Sequence, residues 1–229
     1  MDPRQKQLLK LLIDHHIKSA DPVGSNSLVK DYSLEWSPAT IRAELVALEE
    51  SGYLSHPHTS AGRIPTEKGY RLYVDELMED GGALSHSELQ ALLIAWKQAA
   101  DYEIRLKAVM KAASEMSSAL AVFASSAGDI YFSGMKRLFD QPEFLENSLI
   151  PRVTGMMDAM EEKMATSFES VDEDVDVFIG SDNPLDEHFG SIVARVSKGG
   201  LFMLLGPMRM DYGRGVNLAE KIKEMFNEF

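Results

Sequence analysis

The sequence predicts an α+β protein in three parts: a small three-helix module closed by a β-hairpin, a long connecting helix and a mixed C-terminal domain. Apolar residues recur at helical spacing three times within the first 50 residues, with capping and breaking residues between the runs. Two short β-compatible arms around a polar, glycine-containing loop follow at Tyr53–Pro65. Beyond Gly128 the pattern changes to short apolar runs separated by polar turns.

The first helix runs from about Pro3 to Lys18, with Leu8, Leu9, Leu12, Ile13, His16 and Ile17 on one face. Pro22 disfavours helix at Asp21, so Pro22-Val23-Gly24 reads as a short extended link. Ser25 then caps a second helix ending near Tyr32. Ser37-Pro38 is the clearest local signal, a serine N-cap with proline at the first helical position. Ile41, Leu45 and Leu48 share a face of this third helix, and Gly52 can adopt the left-handed conformation after its end. The last two helices are joined by a tight turn, which is the helix-turn-helix plan. A hairpin directly after the third helix is a wing, with Pro57 confined to an edge or bulge. Thr66 caps a fourth helix from Glu67 to about Met78, with Tyr70, Tyr73, Val74 and Leu77 facing inward.

Asp80-Gly81-Gly82 reads as a linker, and Ser85 with Glu88 as a capping box opening a long helix to about Ala124. Leu89, Leu92, Trp96, Ala99, Leu106, Met110, Ala113 and Leu120 form a heptad-like stripe, interrupted by Glu103 and Ser117. The stripe either packs against a second copy, making Leu89, Leu92, Trp96, Leu106, Met110 and Leu120 dimer residues, or packs on the chain's own C-terminal domain. Strands are predicted at Asp129–Ser133, Val175–Ile179, Ile192–Val196 and Leu201–Leu205, with helices at Pro151–Met164 and Asn217–Phe226. The predicted boundaries are thus residues 1–78, 79–127 and 128–229.

The chain has 229 residues and no cysteine, which excludes disulfides, zinc fingers and thiol chemistry. No stretch approaches the ~20 apolar residues of a membrane span, and the charged N-terminus does not read as a signal peptide, so the expected compartment is the cytoplasm. The net charge of −13 is unevenly placed. Residues 1–78 carry nine Lys+Arg and eleven Asp+Glu, a balance of −2, so the acidity lies mainly beyond them. Any nucleic-acid affinity must then come from a few well-placed cations, helix N-termini and hydroxyls.

The strings Pro22-Val23-Gly24-Ser25, Ser37-Pro38-Ala39-Thr40-Ile41-Arg42, Gly52-Tyr53-Leu54, Pro57-His58-Thr59-Ser60-Ala61-Gly62-Arg63-Ile64-Pro65-Thr66 and Gly69-Tyr70-Arg71 closely resemble the HrcA family of bacterial heat-inducible transcription repressors. The resemblance continues at residues 131–144, at Ile179-Gly180 and at Gly206-Pro207-Met208-Arg209-Met210-Asp211-Tyr212. It implies repression of chaperone genes through an inverted repeat called CIRCE, a homodimer, a GAF-like C-terminal domain with an inserted dimerising segment, and tuning by a GroEL-type chaperonin. Family members are considerably longer, so the sequence predicts a truncated GAF-like domain.

Within this frame the third helix is the recognition helix. Its N-terminal turns enter the major groove, where base edges are distinguishable. Ser37, Ala39, Thr40, Arg42 and Ala43 are short or polar and lie off the apolar face. Arg42 can contact guanine or phosphate, and Ala39 and Thr40 a thymine methyl. Glu44 is read as an orienting or solvated residue. In the wing, His58, Thr59, Ser60 and Arg63 are expected at the DNA, Arg63 as a phosphate or minor-groove contact. Lys68 and Arg71 can touch phosphate, although Arg71 can equally form an ion pair within its own helix.

Several other patterns carry less. His56-x-His58 lacks further ligands for a metal. Asp172-x-Asp174-x-Asp176 resembles the start of a calcium loop, but Val177 stands where glycine is needed and Asn183 where a bidentate glutamate is needed. Met156, Met160 and Met164 suit either an adaptable partner surface or plain core, and burial statistics favour core. No catalytic set, cofactor motif or metal cluster is visible, so neither an enzyme nor a cofactor is expected. The competing readings are a winged-helix protein-interaction module, favoured by the acidic balance, and a small-ligand sensor.

Overall fold

The computed structural model describes all residues except 58–61, 79–82, 99, 126–127, 146–148, 161, 165–170, 172–174, 197–198 and 229. The chain divides into two compact units, Met1–Glu79 and Asp80–Phe229. The expected linker Asp80–Gly82 and the acidic turn Asp172–Asp174 lie outside the described residues.

In the first unit, α1 (Pro3–Ser19) starts at a capping box between Asp2 and Gln5. It ends at Ala20, whose left-handed backbone (φ 61°) returns its N–H to the His16 carbonyl. Next come α2 (Ser25–Tyr32) and α3 (Pro38–Glu50). Ser25 is not the cap of α2: Gly24 holds that position and supplies no side-chain acceptor. Leu8, Leu9, Leu12, Ile13, Leu28, Ile41, Leu45 and Leu48 are buried and form the core of the three helices.

The hairpin pairs β1 (Leu54–Ser55) with β2 (Ile64–Pro65) in antiparallel register, Leu54 opposite Pro65. The extended link before α2 completes it, because Val23 and Arg63 exchange both backbone hydrogen bonds at 2.8 Å. Only glycine fits at residue 62: a Cβ there would lie 2.5 Å from the Val23 carbonyl carbon. The chain then enters α4 (Glu67–Leu72), capped by Thr66. The expected single α-helix to Met78 instead widens into a π-helical turn at Tyr73–Leu77. Buried Tyr73 starts that turn and donates its hydroxyl to Asp14 on α1 at 2.7 Å.

The second unit opens with α5 (His86–Lys97), α6 (Tyr102–Ser117) and β3 (Leu120–Ala124) in place of one long helix. The break has a specific cause. Asp101 accepts from the N–H groups of Glu103 and Ile104 and so caps a new helix. At the far end Ser118 is left-handed (φ 55°), and the apolar run after it is a fully buried strand.

The remaining elements are β4 (Ile130–Ser133), α7 (Met135–Phe139), α8 (Ile150–Asp158), β5 (Val175–Ile179), β6 (Phe189–Val196), β7 (Gly200–Pro207) and α9 (Tyr212–Glu228). All five strands form one antiparallel sheet in the order β4-β3-β7-β6-β5. One face carries Val122, Met203 and Val193 into a core with Leu138, Phe144, Val153, Met156, Met160 and Met164. The methionines of the Met156–Met164 ladder are therefore core residues. The other face receives α9, whose Gly215 lies against Ile192 and Leu204. Helices thus lie against both faces of the sheet.

The proposed dimer stripe is part of this packing. Leu92, Trp96, Leu106, Met110 and Leu120 are all buried within their own unit, and Leu89 is half-buried. Trp96 meets Phe226 of α9 edge to face at 4.9 Å, and Phe226 stacks on Phe123 of β3 at 5.7 Å. Leu120 belongs to a strand and cannot continue a helical seam. Among the described residues of the stripe, these five buried ones are core contacts of one chain.

Candidate nucleic-acid interface

The first turn of α3 is built for exposure on one side and anchorage on the other. Ser37 accepts from the Thr40 N–H at 3.1 Å, and its hydroxyl meets the Thr40 hydroxyl at 2.9 Å. Pro38 at the first helical position has no N–H to leave unsatisfied. Ile41, Leu45 and Leu48 turn inward, while Ser37, Ala39, Arg42 and Ala43 are exposed and Thr40 is half-buried. The five positions expected from the sequence thus share the outer side of the helix start. Val46 extends that side one turn further and is 38% exposed, a position the sequence reading missed. Glu44 is neither solvated nor outward: Gln5 donates to it at 3.1 Å and Arg4 pairs with it at 3.4 Å, which pins α3 to α1.

The cations divide sharply. Arg4, Lys6, Lys10, Arg63 and Arg71 pair with Glu44, Glu76, Asp14, Glu49 and Asp75 respectively. Lys68 donates to the Ser51 carbonyl at 2.9 Å and lies 4.3 Å from the Tyr53 ring centre. It caps the carboxyl end of α3, where a cation meets the negative end of the helix dipole. Lys18, Lys30 and Arg42 have no acidic partner among the described residues, and Arg42 is the one on α3.

Arg63 is not at the hairpin tip but at its root. Its Nε lies 2.7 Å from one Glu49 carboxylate oxygen, and His56 Nδ1 contacts the other. Glu49 thereby ties the last turn of α3 to both arms of the hairpin. His58, Thr59 and Ser60 lie outside the described residues. Arg71 forms the ion pair within its own helix, at 3.9 Å from Asp75.

A cavity of about 580 Å³ opens between the starts of α2 and α3 and the hairpin root. Asn26 and Ser27 line it together with Arg42 and Arg63. The sequence reading passed over Asn26 and Ser27, although helix starts rich in Ser and Asn are a recognised anion-binding signal.

The family model described as the HrcA protein C terminal domain matches residues 81–216. This chain belongs to the HrcA family. The heat-inducible transcription repressor HrcA of Acetivibrio thermocellus is 44% identical over 128 residues, which is 56% of this chain and 35% of the relative. That of Desulforudis audaxviator is 57% identical over 79 residues, 34% of this chain and 23% of the relative. The matched stretches therefore span well under half the length of these HrcA repressors. A crystal structure of a hypothetical protein shares the fold, with a TM-score of 0.79 at 17% identity, covering 100% of this chain and 98% of that one.

Proposed function

We propose that this HrcA-family chain is a sequence-specific DNA-binding repressor of heat-shock genes, acting as a homodimer on an inverted-repeat operator of the CIRCE type. The observation that carries the reading is the two-sided start of α3. Its inner side is locked by Ile41, Leu45 and Leu48, and its outer side presents Ser37, Ala39, Thr40, Arg42 and Ala43. The names of the relatives, heat-inducible transcription repressors, support the direction of regulation.

On this reading the first unit is a winged helix and α3 lies in the major groove. Arg42 reaches a guanine edge or the adjoining phosphate, and the short side chains at Ala39 and Ala43 let the helix approach closely. One chain supplies one recognition helix, so two-fold operator symmetry calls for two chains. The second unit, with its β4-β3-β7-β6-β5 sheet between helices, serves as a GAF-like regulatory or dimerising domain.

A mobility-shift assay with a CIRCE-type duplex, set against a scrambled duplex of equal length and composition, tests this. The expected outcome is a shift specific to the repeat, at two chains per duplex. Equal affinity for both duplexes, or no binding at low salt, would overturn it.

A further inference from the structure

We propose that the N-terminus of α2 and Arg42 of α3 form a seat for one DNA backbone phosphate beside the base-reading turn. This rests on the DNA-binding reading and adds to it the element that fixes register on the duplex.

The helix itself provides the first half. The opening N–H groups of an α-helix have no carbonyl partner within the helix. In α2 these belong to Ser25, Asn26 and Ser27, and the cap residue is Gly24, which has no side chain to accept from them. By contrast α1, α3 and α4 are closed by Asp2, Ser37 and Thr66. The start of α2 therefore presents free donors at the positive end of the helix dipole.

Independent of the helix end, Ser25 points to a ligand. It is only 8% exposed, it lines the cavity, and its hydroxyl has no partner among the described residues. Its side chain is held in place by the packing around it, and its hydroxyl is left to bond whatever occupies the cavity. Arg42 lines the same cavity from α3 and has no acidic partner among the described residues. A guanidinium, a hydroxyl and helix-end amides together are a donor set for a phosphate oxygen pair. The wall opposite is rigid, since Gly62 packs directly on the Pro22 and Val23 backbone.

The position favours a phosphodiester over a free anion. Arg42 lies on the same helix as the exposed Ala39 and Ala43, so an anion held by Arg42 flanks the base-reading turn. Helix-turn-helix proteins set their register on the duplex through such backbone contacts.

The test uses the intact chain with the CIRCE-type duplex and a random duplex, followed by fluorescence anisotropy across a salt series. Ser27→Glu places a carboxylate in the first turn of α2, where it favours the helix but fills the seat. Its melting curve confirms folding. Affinity for both duplexes should fall about tenfold, and the salt slope should become shallower by about one. Ser27→Ala keeps the amides and should bind within about twofold of the parent, because backbone donors supply the contact. Wild-type affinity and slope in Ser27→Glu would overturn the seat alone, whereas a parent chain that binds neither duplex would overturn the DNA reading and the seat with it. A loss in Ser27→Ala equal to that in Ser27→Glu would assign the contact to the side chain and overturn the helix-end seat. Effective competition by inorganic phosphate at constant ionic strength would make it a free-anion site and overturn the phosphodiester.

Discussion

Glu49 and Arg63 meet at 2.7 Å across the root of the hairpin, so the last turn of α3 and the returning strand are held by one ion pair. Both side chains are about four-fifths covered, which screens the pair from solvent more than an ordinary surface pair. A double-mutant cycle with Arg63→Ala, Glu49→Ala and the double variant should give a coupling of about 1 kcal/mol in urea unfolding. Strictly additive losses would show that the contact contributes nothing to stability.

Arg42 is exposed and makes no ion pair among the described residues, so its removal should leave the fold alone. Arg42→Ala is expected to weaken binding to the inverted repeat by about 1–3 kcal/mol while the melting temperature stays unchanged. Anisotropy titration and thermal unfolding of the same sample check both halves. Unaltered affinity would remove Arg42 from the interface.

The pair Leu92 and Leu106 distinguishes an intermolecular seam from an intrachain core. Each is 1% exposed within its own unit. Leu106→Ala should destabilise the second unit by about 2–5 kcal/mol, as deletion of buried methyl groups does. Leu92→Glu with Leu106→Glu should unfold that unit rather than release a folded monomer. Circular dichroism with light scattering separates the outcomes, and a well-folded monomer would restore the seam.

Acid should loosen the second unit through Glu88. Hydrogen bonds from Ser85 hold this carboxylate below its ordinary value of 4.5, and the Arg214 guanidinium adds to the effect. Because the folded value is the lower one, the stabilisation is present above the unfolded value and is lost as pH falls through the folded value. Urea midpoints measured from neutral pH downward should fall less steeply for Glu88→Gln than for the parent. Parallel curves would show that Glu88 is not responsible.

Much of the first unit was legible because its signals are local. Ser37-Pro38 marks a helix start whatever surrounds it, and the left-handed Gly52 (φ 79°) follows from position alone. The errors arose where tertiary partners decide. Residues 85–124 keep helical apolar spacing through two helices and a strand, because each of the three buries apolar residues. Asp101 was the available signal for the break, but without glycine or proline beside it the periodicity outweighed it. The short run Leu120–Ala124 is equally apolar as helix or strand, and its pairing with β4 and β7 decides. At the candidate site, the exposed side of α3 follows from helical geometry. The engagement of Arg63 by Glu49 could not be read, since it joins elements separated by the hairpin.

The two tryptophans have a practical consequence, since each unit holds one. Trp36 lies in the first unit with the Arg4 guanidinium 5.6 Å from its ring centre, while Trp96 is sealed in the second against Phe226. The molecule thus carries two intrinsic optical reporters. Trp96→Phe leaves an emission signal belonging to the first unit alone, and Trp36→Phe one belonging to the second. Denaturation followed in the two single-tryptophan chains would assign a separate melting profile to each half without any added label.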